Sequence, residues 1–466
     1  MLQKVQEVLI KLHEKDPDLY QYPFSKENWM HLIDAGIIAS CIPVENGGRL
    51  STATTFNLLA KLSYFALPLS LRVMIIQLLF AAVLVKHANS RTKSEIFPRL
   101  MSGDIGGIAI TEPDHGSDAL KMETHYCTNS QGYTISGIKH WQGLSGEANW
   151  FLIAAREMKE NKKLSGNVDL FLHDMRLGGM EMIERYHTPG LLMMQYGKNR
   201  INVDVPRHRK MDFPSGKRNP LIMDVFNTAR LAFPAMGLGF LERIYEDAKK
   251  YTGSRQVNRR CLSEYDLVKF RLETLEMWKN LCSLLFEHSI INVDVYQSVA
   301  DKTLLANVYK VVISDLMLKA SHSLQQIYGG MGYRRFGFPE RAFADSRPFQ
   351  ILDGSNDILF VQIAEFVMKQ KYASKVIQLS EFLEEFDFTR RAGKSVFESL
   401  ATIKVDSRMP QRKLWQLGKI LARVITLSCL REVQQCNVLA EIYVRDIETF
   451  LKTEIHQLTF ELNLIS

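Results

Sequence analysis

Between Gly106 and about Pro214 the chain is written in short strand-like runs, while the segments on either side carry apolar residues at helical spacing. That contrast constrains the fold most, and it predicts a mainly α protein with a central β domain. The runs are Gly107–Thr111, Gly132–Ile135, Trp150–Ala154, Val168–Leu172 and Arg200–Val205, separated by clusters of Asn, Ser, Gly and Pro. Residues 1–106 read as helical, broken at Pro23, at the Pro43–Gly48 turn and at Pro68. Beyond the β region, helices are expected over Leu221–Thr252, Ser263–Ser289, Asp294–Tyr328 and Asp357–Ala373. A last helix-rich block begins after Tyr372–Lys375. The domain reading is therefore helical over 1–106, β over 107–214, a helical bundle over 215–374 and a helical extension over 375–466. Small-molecule sites favour domain junctions, so a ligand is expected where the β domain meets a helical one.

Composition narrows the function classes. Charged residues are 23% and hydrophobic ones 46%, which excludes a disordered or collagen-like chain. A net charge of +7 over 466 residues is too mild to indicate a nucleic-acid binder. The cysteines Cys41, Cys127, Cys261, Cys282, Cys429 and Cys436 include no C-x-x-C pair, so neither a disulfide framework nor a metal site is expected. Met1–Lys15 reads as an amphipathic helix with Leu2, Val5, Val8, Leu9 and Leu12 on one face, too often interrupted by charge for a signal-peptide core. The longest apolar run, Val73–Val85, is too short to span a bilayer and reads as a buried helix. These features fit a soluble, cytoplasmic protein.

Four segments can carry chemistry, and each also has a plain structural reading. Ile108–Asp118 runs a strand into a turn bearing Pro113, Gly116, Thr111 and Ser117; it is a hairpin corner or a turn that offers donors to a heterocycle or phosphate. Gly137–Gly146 places Trp141 at a strand end, where it is a core residue or a stacking platform. Gln326–Tyr333 holds Gly329, Gly330 and Gly332 after an apolar helix, as a helix C-cap or a close approach to a ligand. Asp345–Asp357 contains Asp353-Gly354-Ser355-Asn356, a turn with an N-cap or a carboxylate poised as a base. Rossmann, P-loop and nucleophile-elbow signatures are absent.

Taken together and in order, the segments resemble the acyl-CoA dehydrogenase superfamily of flavoproteins over roughly residues 1–370. The resemblance rests on Thr111-Glu-Pro with Gly116-Ser117-Asp118, on Gly137, Lys139, Trp141 and Asn149-Trp150, on Gln326 to Tyr333, and on Asp345, Arg347 and Gly354-Ser355. It implies an N-terminal helical domain, a middle β-barrel and a C-terminal four-helix bundle. It implies FAD between the β domain and the bundle, reaching a neighbouring subunit. Flavin or FAD contacts are implied from Ile110, Thr111, Ser117, Trp141, Gly143, Ser355 and Asp357. Arg255 matches the position that binds the FAD pyrophosphate across a dimer interface, a role that suits a planar fork. Gln326 and Gly330 match second-subunit FAD contacts. The implied reaction is α,β-dehydrogenation of an acyl thioester, either acyl-CoA or acyl carrier protein. Electrons would leave to an electron-transfer flavoprotein-like acceptor or to oxygen, and a homodimer or tetramer is expected.

The chain also departs from the family pattern. The usual base is a Glu, and that position holds Asp353; a second base location is filled by Ala229. Asp is shorter by about 1.5 Å of reach. The nitroalkane oxidase branch uses an Asp base, which keeps an oxidase or monooxygenase acting at an acidic C–H as an alternative. A degenerate, non-catalytic member is the other alternative. Arg230 matches a family arginine near substrate and base, where it would keep Asp353 ionised or simply tie two helices together. Gly143 stands where many members have a flavin-bonding Thr, with Ser145 as a candidate substitute. Asn258 replaces an aromatic residue, and Asp357 replaces a Gln, either repelling the pyrophosphate or capping the following helix.

Two further features concern partners. Arg207-His208-Arg209-Lys210 with Lys217-Arg218 is a solvated face or a landing site for CoA phosphates or an acidic carrier protein. The extension resembles in position that of very-long-chain members. Its apolar face, Leu414, Leu417, Leu421, Val424 and Leu427, packs against the body or a dimer partner, or lies on a membrane surface.

Overall fold

Apolar spacing becomes helix over most of the described part of the first hundred residues. Helix α1 (Leu2–Lys15) buries Val5, Leu9 and Leu12. Ser25 caps α2 (Lys26–Asp34), and Ser51 caps α3 (Thr52–Phe65). Next come α4 (Leu67–Met74), a π-helical stretch over Ile75–Ala81 and α5 (Ala82–His87). Asn89 then caps α6 (Ser90–Met101). The apolar run at Val73–Val85 thus lies inside a continuous 21-residue helix, longer than the run itself suggests. That helix is long and apolar enough to cross a membrane, yet 94% of its most apolar window is buried, so it is a core helix. The computed structural model describes residues 1–16, 19, 23–213, 220–335, 337–374, 376–406, 408–436 and 441–465. Lys217, Arg218, Lys375 and the 214/215 boundary lie outside the described residues.

The strand-like region forms a curled sheet of seven strands. They are β1 (Gly106–Ala109), β2 (His125–Thr128), β3 (Gly132–Gly143), β4 (Trp150–Met158), β5 (Leu164–Asp174), β6 (Met180–Tyr186) and β7 (Tyr196–Pro206). Their order is β1-β4-β2-β3-β7-β6, with β5 paired to β4. Two strands were not legible in the sequence. β2 has only four residues, and β6 is exposed at five of its seven positions, so neither shows a buried alternation. β3 and β7 are also longer than their readable cores, because their solvent-side residues mask the pattern.

The expected helix Leu221–Thr252 is two helices, α7 (Pro220–Leu231) and α8 (Phe233–Ser254). Pro234 lacks the N–H that would continue α7, so the break falls just before it. After α8 come a small ribbon, β8 (Gln256–Val257) and β9 (Arg260–Cys261), and then α9 (Asp266–Asn292). The helix expected from Asp294 begins only at Thr303, as α10 (Thr303–Tyr328). The intervening segment is held as a loop: Asp294 Oδ1 accepts from Thr52 Oγ1 at 2.7 Å and from the Tyr296 N–H at 3.1 Å. Asp224 on α7 accepts the Val299 N–H at 2.6 Å and pairs with Lys86 at 2.5 Å. Residues Met1–Ala232 and Val293–Thr303 accordingly form one compact unit, and Phe233–Asn292 with Leu304–Ser466 form a second.

The second unit continues with α11 (Phe338–Ser346), α12 (Asn356–Ser374), α13 (Leu379–Glu385), α14 (Lys394–Leu400), α15 (Gln411–Cys436) and α16 (Glu441–Leu464). The C-terminal extension is part of this unit's core. Leu417, Leu421, Val424 and Leu427 are fully buried, so the face weighed for membrane contact is spent on packing. Gly418 lets α15 reach the backbone of α12: a Cβ there would lie 1.8 Å from the Phe360 carbonyl oxygen.

Candidate active site

In the first unit, a buried ion pair shapes the turn after β1. Lys139 Nζ, on β3, donates to the Ile110 carbonyl at 2.7 Å and to Glu112 Oε1 at 2.9 Å. Glu112 also accepts the N–H groups of Glu123 at 2.6 Å and Thr124 at 2.8 Å. Burial pushes Lys139 down to about 8 against the pull of Glu112. Burial pushes Glu112 the other way, but the Lys139 charge and the hydrogen bonds outweigh it and hold its carboxyl below the usual range. Ile110 and Thr111 are thereby fixed, and the Thr111 carbonyl accepts the His140 N–H at 2.9 Å. Ser117 lies exposed on the same turn.

A register shift between His140 and Gln142 interrupts β3. Trp141 occupies it at φ 59° and turns its indole outward, 51% exposed. Tyr186 and Tyr196 support the ring at centroid distances of 4.5 and 5.9 Å. The result is a braced aromatic surface rather than a core tryptophan.

Gly143, next along, is buried, and a Cβ would come within 2.8 Å of Met194 Cε and 3.0 Å of Ile75 Cδ1. A larger side chain there would require the tips of Met194 and Ile75 to shift. Ser145 does not replace it: fully buried, its hydroxyl donates to the Gln142 carbonyl and accepts from Asn199 Nδ2, both at 2.9 Å. On α7, Ala229 is fully buried and Arg230 nearly so, its guanidinium 5.4 Å from the Phe226 ring centroid. Two members of the basic stretch are paired within the unit. Arg209 pairs with Glu95 at 2.7 Å and Lys210 with Asp169 at 3.1 Å, while Arg207 is exposed and Lys217 and Arg218 lie outside the described residues.

In the second unit, Arg255 follows the end of α8 and leads into the β8–β9 ribbon. Asn258 at φ 48° and Arg259 at φ 62° form its two-residue turn. Asn tolerates that backbone, which accounts for the departure at 258. Arg255, Arg259 and Arg260 are all exposed, so the ribbon presents three guanidiniums. Tyr251 stacks on Tyr328 at 3.8 Å, which brings the root of the ribbon beside the Gln326–Gly330 turn. There Gly329 ends α10 at φ 58°, and Gln326 and Gly330 are exposed.

The Asp353 turn is built from below. Asp353 and Gly354 both adopt left-handed conformations, at φ 53° and 96°. Lys310 of α10, fully buried, donates to the Gly354 carbonyl and to Asn356 Oδ1, both at 2.7 Å. Asp315 Oδ1 accepts from Gln350 Nε2 at 2.8 Å and from Asn356 Nδ2 at 2.9 Å, so one carboxylate oxygen ties both shoulders of the turn. Ser355 precedes α12 directly. Asp357 lies inside the first turn of α12, not at its cap, and its Oδ1 accepts from Trp415 Nε1 of the extension at 2.9 Å. Asp353 is thus a half-buried carboxylate on a left-handed turn held from both sides.

Sequence reasoning singled out Asp353 but missed its supports. A signal was present: Lys310, Ser314 and Asp315 are polar residues on an otherwise apolar α10, and buried charges on such a helix need partners.

Family models describe the same regions. "Acyl-CoA dehydrogenase, middle domain" matches residues 107–202, and "Acyl-CoA dehydrogenase, C-terminal domain" matches residues 219–368. The chain is 24% identical over 357 residues to a 3-sulfinopropanoyl-CoA desulfinase of Advenella mimigardefordensis, covering 75% of this chain and 87% of that protein. The fold is similar to that of an acyl-CoA dehydrogenase complexed with FAD from Bacillus anthracis, with a TM-score of 0.80 at 17% identity, over 99% of this chain and 86% of that one. It is also similar to the prolyl acyl carrier protein oxidase AnaB, with a TM-score of 0.70 at 21% identity, over 78% of this chain and 98% of that one. Together the two family models match more than half of the chain, and this protein belongs to the acyl-CoA dehydrogenase family.

Proposed function

We propose that this protein is an FAD-dependent oxidoreductase that oxidises an acyl thioester between its α and β carbons, with Asp353 taking the α proton. The observation that carries the reading is the Asp353 turn, a carboxylate at the family's base position on backbone held by Lys310 and Asp315. The α proton of a thioester is weakly acidic, so its base must be close and fixed.

The residues present fit FAD. Trp141 offers an exposed, braced aromatic face for a ring system, and the turn at Ile110, Thr111 and Ser117 is fixed by Lys139. The Arg255 ribbon carries guanidiniums suited to a pyrophosphate, beside the exposed Gln326–Gly330 turn. Bound FAD supplies the hydride acceptor. Asp357 gives one carboxylate oxygen to Trp415 and is exposed, and it is a proposed FAD contact through its match to the family position. Arg230 is the second proposed catalytic residue, through its match to the family arginine. The exposed Gln326, Met331 and Tyr333 support a homodimer that shares FAD across its interface.

A second reading, an oxidase acting at a more acidic C–H, draws support from Asp in place of Glu at 353. The shorter side chain suits a carbon that ionises more readily.

The test is the visible spectrum of the purified protein under anaerobic conditions, before and after adding butyryl-, octanoyl- or palmitoyl-CoA. Bleaching of flavin bands by one chain length supports the dehydrogenase. Anaerobic bleaching by a more acidic carbon acid such as nitroethane and by none of the acyl-CoAs, with hydrogen peroxide released when air is admitted, supports the oxidase. Failure to take up added FAD refutes both and leaves a non-catalytic member.

A further inference from the structure

The extension touches the frame of the Asp353 turn at two points. Trp415 and Arg423 lie eight residues apart on α15, close to two full turns, and so face the same side. Between them, Lys419 lies 4.2 Å from the Trp415 ring centroid. Trp415 holds Asp357, in the first turn of the helix that follows Asp353. Arg423 is nearly fully buried, and its Nη2 approaches Asp315 Oδ2 at 3.4 Å while its Nε donates to Glu454 of α16 at 3.2 Å. Asp315 is thus shared, with Oδ1 on Gln350 and Asn356 and Oδ2 on the extension.

We infer that the C-terminal extension is a positioning device for the base: Arg423 anchors Asp315, and Asp315 fixes both shoulders of the Asp353 turn. The inference rests on the reading of Asp353 as base. Its physical ground is that a carboxylate with one oxygen pinned by a buried cation cannot swing its other oxygen without breaking a charge-assisted bond. The Gln350–Asn356 loop contains two left-handed residues, and such backbone persists only where its surroundings over-determine it. Arg423 does not touch the reacting atoms; it acts through Asp315.

The test compares Arg423→Met and Asp315→Asn with Lys319→Met. Asp315→Asn keeps an oxygen for Gln350 and Asn356 but presents an amide to Arg423. Lys319 pairs with Glu454 at 2.9 Å on the same seam and does not hold the turn, so its variant is the control. The first readout is amide hydrogen exchange over residues 350–357. Exchange there should speed up about tenfold in Arg423→Met and Asp315→Asn and stay unchanged in Lys319→Met. The second readout is turnover with the acyl-CoA that bleaches the wild type. Turnover should fall at least about tenfold with KM within about threefold, and the isotope effect on the α-dideuterated substrate should rise. If Arg423→Met unfolds, Asp315→Asn carries the same test.

Unchanged exchange over 350–357 overturns the inference. So does faster exchange with unchanged turnover and isotope effect. An Asp353→Asn variant that keeps wild-type turnover refutes the base assignment instead, and the exchange result still decides whether the extension holds the turn.

Discussion

Replacing Gly418 with Ala tests how closely the extension is built into the second unit. The added Cβ would lie 1.8 Å from the Phe360 carbonyl oxygen, 2.5 Å from its carbon and 2.9 Å from its Cα. Real Cβ contacts essentially never fall under 3.0 Å, so α15 must retreat by the difference between 1.8 and 3.0 Å, about 1.2 Å. The obstacle is backbone on a packed helix, which cannot rotate away as a side chain would. Retreat opens a gap beneath Leu417, Leu421, Val424 and Leu427, all fully buried. A gap of about 1 Å forfeits up to roughly half of each contact's dispersion energy. Overpacking of this kind costs roughly 1–3 kcal/mol, and the backbone clash places Gly418→Ala at about 3 kcal/mol. That corresponds to a fall in Tm of about 6–12 °C for a unit of this size. Urea denaturation followed by far-UV circular dichroism measures it. Gly253→Ala is the matched control, since Gly253 lies in helix α8 with nothing within 4 Å of its Cβ position. It should gain about 0.5 kcal/mol from reduced chain entropy. If Gly418→Ala stays within about 0.5 kcal/mol of wild type, the close approach of α15 to α12 is wrong.

Three further outcomes are expected. Lys139→Met leaves Glu112 buried without its cation and should cost about 3–5 kcal/mol, measured by urea denaturation at pH 7. The same pair sets a pH dependence. Because Lys139 is held near 8 against its ordinary 10.5, the unfolded chain binds more protons between those values. This group therefore makes wild type more stable as pH rises from 8 toward 10.5, and Lys139→Met should lose that contribution. Glu112 is held below its ordinary 4.5, so its contribution is present above that pH and fades as acid protonates the folded form; Glu112→Gln should flatten the acid limb of a stability–pH curve. Trp141→Ala should lose flavin during gel filtration while Trp141→Phe retains most of it, read from the ratio of absorbance at flavin and protein bands.

Much of the architecture was legible because its elements are long and periodic. The stripe of α1, the apolar core helix and the buried face of α15 all follow from spacing alone. What escaped has identifiable causes. β2 and β6 are too short or too exposed to show alternation. The loop over Val293–Thr303 keeps helix-compatible residues from helix by giving their polar groups to Thr52, Asp224 and Asn227, partners distant in sequence. The same distance hid the supports of the candidate site. Asp353, Trp141 and Arg255 stand in local motifs, whereas Asp315 and Arg423 are 108 residues apart and meet only in the fold. Ser145 is a candidate flavin donor in the sequence only as a substitute for the Thr missing at 143; in the fold its buried hydroxyl is bonded to Gln142 and Asn199.

The role of Asp353 is decided by anaerobic single-turnover reduction of the bound flavin by the acyl-CoA that bleaches wild type, comparing wild type with Asp353→Asn. Removing a positioned general base costs about 100-fold or more. A loss of at least that size is expected in the Asp353→Asn variant, with an unchanged flavin spectrum before substrate is added. Reduction of the variant at the wild-type rate would contradict it.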